Sequence, residues 1–317
     1  MNSLHRPSSR WQLGLALSLV TMMLWGGLPI ILKILLTTLG PATLTWFRFL
    51  VAGVFWLLLL GARRRLPRLT TLGPKALALL GVATLGLAAN YYFFQVGLRV
   101  AHVGAAQLLI QLSQVALLVG SVVLFKEALS RPQALGLLLI VTGLGAYFWP
   151  RWAPNGDTLA ALDGSSGFVG LGFVLVAALS WAAYALAQKQ LLTHLPSTSI
   201  MLVVYLGSAL AMTPAVQIEQ IGALDGARLW LLVFAAANTV IGYGAFAEAL
   251  AHWEATRVGA VLAASPIMTL VFTALGHALW PAYVPADDLP TLSYLGAGLV
   301  VVGSMLTALA RPAQRRV

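Results

Sequence analysis

Gln107, Gln111 and Gln114 lie at i, i+4 and i+7 in the apolar run 103–125. At 100° per residue of a helix they fall within about 60° of one another. Such a stripe cannot face lipid, because an amide left unpaired in hydrocarbon costs several kcal/mol. Two uses are open to it: hydrogen bonds to a neighbouring helix, or the wall of a solute cavity. Three amides on one stripe exceed what a single contact needs.

Other polar side chains occur in similarly apolar runs. Trp25 and Trp181 fall near mid-depth, where an interfacial aromatic belt would not put them. Tyr184 and Gln188 continue the face of Trp181, and Pro29 continues that of Trp25. Pro29 has no N–H for the carbonyl of Trp25, so a bend is predicted there. Asn90 and Tyr91 form a further set with Asn238 and Tyr243. Packing and solute contact are both open for these residues. Lys33 and Arg48 lie one to two turns inside their runs, and either they snorkel to the headgroups or they meet an anionic solute. Glu248 and Glu254 close another run. Glu254 reads as a solvated partner of Arg257. Glu248 reads either as a tie to Arg257 or Lys189, or as a gate or proton-coupling carboxylate.

None of this amounts to a catalytic constellation. The histidines at 5, 102, 194, 252 and 277 are scattered, and no His-Glu-x-x-His occurs. The stretch "DGSSG" at 163–167 lacks Gly-x-Ser-x-Gly spacing, and no glycine-rich phosphate loop is present. The chain has no cysteine, which excludes disulfides and Cys-based sites. No catalytic residue, metal or cofactor is expected, and transport would be secondary. An intramembrane enzyme and a non-transporting receptor or scaffold are the alternatives.

The elements that must hold these side chains are membrane helices. Of 317 residues, 60% are hydrophobic and 9% charged, against about 25% charged in soluble domains. A span needs about 20 apolar residues, and ten segments qualify: 13–36, 43–61, 75–97, 103–125, 132–149, 168–189, 198–217, 228–250, 257–280 and 291–310. The first is too long for a secretory leader and holds Pro29 and Lys33. The net charge of +10 sits in short gaps between spans, so it reads as topology and not as a nucleic-acid surface. With the N-terminus inside, Arg6, Arg10, Arg63, Arg64, Arg65, Arg68, Lys75, Lys126, Arg131, Lys189, Arg257, Arg311, Arg315 and Arg316 are cytoplasmic, which is fourteen of the nineteen lysines and arginines. Both termini are therefore predicted to be cytoplasmic.

The halves repeat. An offset of 156 superposes Trp25 on Trp181 and Lys33 on Lys189, and one of 152 superposes Tyr91 on Tyr243. Five spans per copy is an odd number, so the expected fold is all-α, with ten transmembrane helices as two inverted five-helix repeats, 1–150 and 166–311. That geometry suits alternating access. Spans 5 and 10 carry few polar residues and are predicted to be peripheral.

Taken in order, Trp25-Gly26, "WFRF" around Arg48, Gly97-Leu98, Ala249-Leu250, Pro266, "FKEALSRPQALG" with Glu127, and the pairs Gly136/Gly143 and Gly296/Gly303 resemble the drug/metabolite transporter superfamily in its ten-span EamA-type branch. The pattern departs at Gln114, which stands where the second half has Pro266, and at His277, which stands opposite Glu127. The resemblance implies outward movement of a small metabolite, amino acid or drug-like solute across the inner (plasma) membrane. The partners expected are that solute, the lipid bilayer and a proton as coupling ion, with a homodimer as the candidate assembly. The expected substrate-binding residues are Trp25, Arg48, Asn90, Tyr91, Gln107, Gln111, Gln114, Trp181, Tyr184, Asn238 and Tyr243, with Glu248 as coupling or gate residue.

Overall fold

The structure is a computed structural model that describes residues 10–125, 129–152, 165–253, 255–285 and 289–310. Among them, ten helical stretches are long and apolar enough to cross a membrane, and no strand occurs. Spans 1, 2, 3, 5, 6, 7, 8 and 10 are the single helices α1 (Trp11–Leu35), α2 (Pro41–Ala62), α3 (Pro74–Val100), α6 (Arg131–Trp152), α7 (Ser165–Leu191), α8 (Ser197–Met212), α10 (Gly226–His252) and α13 (Thr291–Leu309). Span 4 is split into α4 (Val103–Leu109) and α5 (Leu112–Phe125), and span 9 into α11 (Ala255–Leu262) and α12 (Ser265–Leu279). A short α9 (Glu219–Gly222) lies between α8 and α10.

Helix starts follow local chemistry. Pro41, Pro74 and Pro266 sit in the first turns of α2, α3 and α12, where a missing N–H leaves no bond unmade. Asp225 caps α10 by accepting from the backbone N–H of Arg228 at 2.7 Å and pairs with its guanidinium at 2.7 Å.

Periodicity predicts spans 4 and 9 as continuous helices, yet both break, at Ile110–Gln111 and Ala263–Ala264. These positions agree within one residue under the repeat offset. In span 9, Pro266 has no N–H for the carbonyl of Leu262, and the Ser265 hydroxyl donates to that carbonyl instead, at 2.7 Å. Span 4 has no proline. There the N–H groups of Gln111, Ser113 and Gln114 bond three residues back at 3.1, 2.9 and 3.0 Å, which tightens the chain into one turn. Pro29, by contrast, does not interrupt α1. The carbonyls flanking the one it frees are taken by neighbours: Asn238 Nδ2 donates to Leu24 O at 2.8 Å and Thr269 Oγ1 to Gly26 O at 2.7 Å. Neighbouring side chains commonly restore backbone bonding around a membrane proline in this way.

The packing is largely reciprocal. α1 lies on α10 as α3 lies on α7; α2 meets α10 as α8 meets α3; α12 meets α1 as α5 meets α7; and α2–α8 and α6–α13 each pair across the halves. Small residues permit the close crossings. A Cβ on Gly136 would come within 2.6 Å of the Gly303 carbonyl, and one on Gly143 within 2.7 Å of that of Gly296. Gly14 abuts Trp253, and Gly170, its partner at the offset of 156, abuts the backbone of Ala101.

Reciprocity fails at several pairs: α11 packs on α13 and α2 on α3, whereas their counterparts, α4 with α6 and α8 with α10, meet at most marginally. α4 packs on α12 and α1 touches α3, whereas their counterparts, α5 with α11 and α7 with α10, meet at most marginally. The central spans are therefore joined at the end remote from Arg10 and Ala310 and parted at the end where those residues stand.

Candidate functional site

Arg48 lies in the second turn of α2 and is 2% exposed. Its Nε donates to Thr239 Oγ1 of α10 at 3.1 Å, and its guanidinium carbon lies 4.8 Å from the centroid of the Tyr91 ring. A guanidinium stays protonated in proteins, and a desolvated stack on an aromatic face is worth about 2 kcal/mol. That offsets only part of the cost of burying the charge. Among the described residues, the charged and titratable groups around it are Tyr91, Tyr205 and Tyr243, with no carboxylate.

A chain of rings runs from this cation across five helices. Tyr91 lies 4.5 Å from Phe49, Phe49 5.6 Å from Tyr205, and Tyr205 6.3 Å from Tyr243. Tyr243 is 5.3 Å from Trp25, which is 5.8 Å from Phe246. Tyr91 and Tyr243, equivalent in the repeat, pack against the same cluster of Phe49 and Tyr205. The rings supply flat apolar faces with phenolic tips, suited to an apolar body whose polar end needs fixing. Several polar atoms on these helices are buried without a hydrogen-bond partner: Tyr205 Oη, Thr45 Oγ1 and Asn238 Oδ1.

Of the residues expected from sequence, Trp25, Arg48, Tyr91 and Tyr243 are thus brought together. Trp181 and Tyr184 join the same packed cluster beside Tyr91, with 6.5 Å between their rings and the Tyr184 hydroxyl donating to Met201 Sδ at 3.4 Å. Asn90 and Asn238 spend their amide N–H groups on lateral ties, to Ala177 O at 2.9 Å and Leu24 O at 2.8 Å. The glutamines are half-buried. Gln114 Nε2 donates to Gln111 Oε1 at 3.2 Å across the break in span 4, so the three no longer share one straight stripe. No hydrogen bond or ring contact joins them to the aromatic set among the described residues.

The charged residues differ most from expectation. Lys33 does not face the rings: its ammonium donates to the carbonyls of Leu98, Arg99 and Ala101 at 2.7, 3.0 and 2.8 Å, closing the C-terminal end of α3. Glu248 is exposed, and its carboxylate lies 3.0 Å from His252 Nε2, in place of the Arg257 or Lys189 expected. Glu127 and Glu254 lie outside the described residues.

Phe49, Tyr205, Thr239 and Phe246 escaped the sequence reading. Phe49 and Phe246 look like any apolar span residue. Tyr205 carried a usable signal, as a lone tyrosine at mid-span far from either interface.

Comparison with known proteins gives the same architecture. The profile of the EamA-like transporter family matches residues 12–149 and 168–309. The chain is 37% identical over 297 residues to an "Uncharacterized transporter" of Haemophilus influenzae, covering 94% of this chain and 95% of the relative. It is 36% identical over 299 residues to the "Uncharacterized inner membrane transporter YhbE" of Escherichia coli, covering 94% and 91%. At 25% identity over 301 residues it resembles the "Probable amino-acid metabolite efflux pump" of Salmonella typhimurium, covering 90% and 92%. A solved crystal structure aligns with a TM-score of 0.59 at 17% identity, covering 95% of this chain and 96% of the other, a likeness of fold.

Proposed function

The chain belongs to the EamA-like transporter family, and from that premise we propose that it is a secondary transporter exporting a small solute across the inner membrane by alternating access. The observation that carries this reading is the unequal packing of the repeat-related helices: α4 on α12 and α1 on α3 have no comparable counterparts at the opposite end. Two halves, 1–150 and 166–311, related by a two-fold axis in the membrane plane would interconvert by exchanging these contacts. The parted end would close while the joined end opened.

The positive-inside rule favours a cytoplasmic position for the chain termini, and with them the parted end, so a solute would enter from inside. That direction agrees with the efflux named for the Salmonella relative, and the membrane is the one named for the E. coli relative. In this reading Trp25, Arg48, Tyr91, Tyr243, Trp181 and Tyr184 line the solute path. Gln111 and Gln114 stand at the break of span 4, with Gln107 one turn earlier in α4, and Asn90 and Asn238 brace the helices on either side. Glu248, exposed at the inner end of α10 beside His252, is the proton-coupling group.

The test is flux. Metabolite profiles of cells with and without overexpression select candidate solutes, and purified protein in proteoliposomes is then assayed for counterflow of each. Solute-specific counterflow that falls on Trp25→Ala is the expected result. Chemical turnover of a solute without movement across the bilayer would replace the transporter with an enzyme.

A further inference from the structure

Arg48 presents an imbalance that the fold does not resolve. Its Nε bond to Thr239 is its single hydrogen bond to the described residues, so both terminal nitrogens, with four N–H groups between them, are left without an acceptor. The Tyr205 hydroxyl, on a ring that meets Phe49 as does the Tyr91 ring under the guanidinium, is buried and unpartnered. The described carboxylates stand elsewhere: Glu219 precedes α10, Asp225 caps it, and Glu248 is exposed at its far end. A largely buried cation with its fork of donors open and no described carboxylate beside it is a ready receptor for an anion supplied from outside the chain.

We propose that the solute is a monoanionic carboxylate with an apolar or aromatic body, a class this inference adds to the transporter reading on which it rests. The carboxylate would accept two parallel bonds from the Arg48 terminal nitrogens, the bidentate geometry a guanidinium favours. The Tyr205 hydroxyl is the third donor. The body would lie along the Tyr243, Trp25 and Phe246 rings, whose centroids are 5.3 and 5.8 Å apart in sequence. A zwitterion is disfavoured because its ammonium would enter the same space with a guanidinium already there and no acidic side chain among the described residues to meet it. A cation is disfavoured twice over.

Three probes share one body and differ in charge: phenylpyruvate, phenylalanine and 2-phenylethylamine. Binding of each in radiolabelled form to the purified full chain in detergent is read by scintillation proximity. Phenylpyruvate is expected to bind at least tenfold more tightly than the other two. Arg48→Met should abolish that preference, and Arg48→Lys, which keeps the charge and loses the fork, should restore it in part. Tyr205→Phe removes only an unpartnered hydroxyl, so it should weaken phenylpyruvate binding several-fold without lowering the melting temperature. That variant keeps the test alive if Arg48→Met does not fold. Equal or tighter binding of phenylalanine or 2-phenylethylamine, absence of binding by all three, or phenylpyruvate affinity unchanged in Tyr205→Phe would overturn the proposal. Flux separates it from the transporter reading. Arg48-dependent anion binding without counterflow removes transport and leaves the anion site. Counterflow of some other solute without anion preference removes the anion site and leaves transport.

Discussion

Lys33→Met distinguishes a snorkelling lysine from a structural one. The ammonium reaches three carbonyls at the end of α3, at 2.7, 3.0 and 2.8 Å, where the helix dipole is negative and the carbonyls lack intrahelical partners. A hydrogen bond to a charged group nets about 1.5–3 kcal/mol. The three share one charge, and the bond to Arg99 is exposed, so water can replace it. The two part-buried bonds then set the loss at about 2–4 kcal/mol, less whatever is recovered by no longer desolvating an ammonium. Since the same contact ties α1 to α3, the joined end of the bundle should loosen as well. Two measurements check this in detergent: the melting temperature should fall by several degrees, and a cysteine at Ala101, 2% exposed in a chain with no native cysteine, should label faster in the Lys33→Met background. Lys33→Arg should keep most of both properties. An unchanged melting temperature together with unchanged labelling would return Lys33 to the headgroups and refute the reasoning.

Gly296→Ala should destabilise by about 1–3 kcal/mol, the usual range for overpacking, since the new Cβ would meet the Gly143 carbonyl at 2.5 Å; Gly298→Ala, with nothing within 4 Å, is the control, and equal melting of the two variants would refute it. Single cysteines at Leu69 and Tyr283, both exposed, should react with an impermeant reagent in intact cells only at Tyr283, and labelling of Leu69 instead would reverse the topology. Glu248→Gln keeps shape and deletes charge; if Glu248 couples protons, transport driven by a pH gradient should fail while solute exchange persists, and loss of stability with normal gradient-driven transport would make it a structural tie.

The ten spans were legible because each must be about 20 apolar residues long, a requirement the chain meets ten times with short gaps. The cluster around Arg48 was partly legible: Trp25, Tyr91 and Tyr243 stood out as polar-tipped aromatics at repeat-equivalent or mid-span positions. What hid the rest was the physics of neighbours. Phe49 and Tyr205 join the site through tertiary packing of α2 on α8, and hydropathy is blind to which apolar face meets which. The break in span 4 was invisible because no proline marks it. Lys33 was read by depth alone, and depth does not reveal that a helix end with unpaired carbonyls lies within reach.

A difference between the halves follows from one exchanged pair of residues. Under the offsets 152 and 156, Gly86 corresponds to Asn238 and Asn90 to Gly242, so each half carries one glycine and one asparagine four apart, in opposite order. Gly86 lies against the Ser180 carbonyl, 3.0 Å from where its Cβ would be, while Asn238 hydrogen-bonds the equivalent carbonyl of Leu24. Four residues on, Gly242 leaves room for the Trp25 indole, whose Nε1 stands 2.6 Å from the missing Cβ. Asn90 occupies the matching place opposite Trp181 and spends its amide on Ala177. Trp25 can therefore nest on α10 and reach Tyr243 at 5.3 Å, whereas Trp181 meets Tyr184 edge-on at 6.5 Å. Gly242→Ala is then expected to push the indole off Tyr243, because the new Cβ would lie 2.6 Å from Trp25 Nε1. Solute affinity should fall severalfold while Gly244→Ala, at an open position, leaves it unchanged. Equal affinity in both variants would mean that the Trp25–Tyr243 contact plays no part in holding the solute.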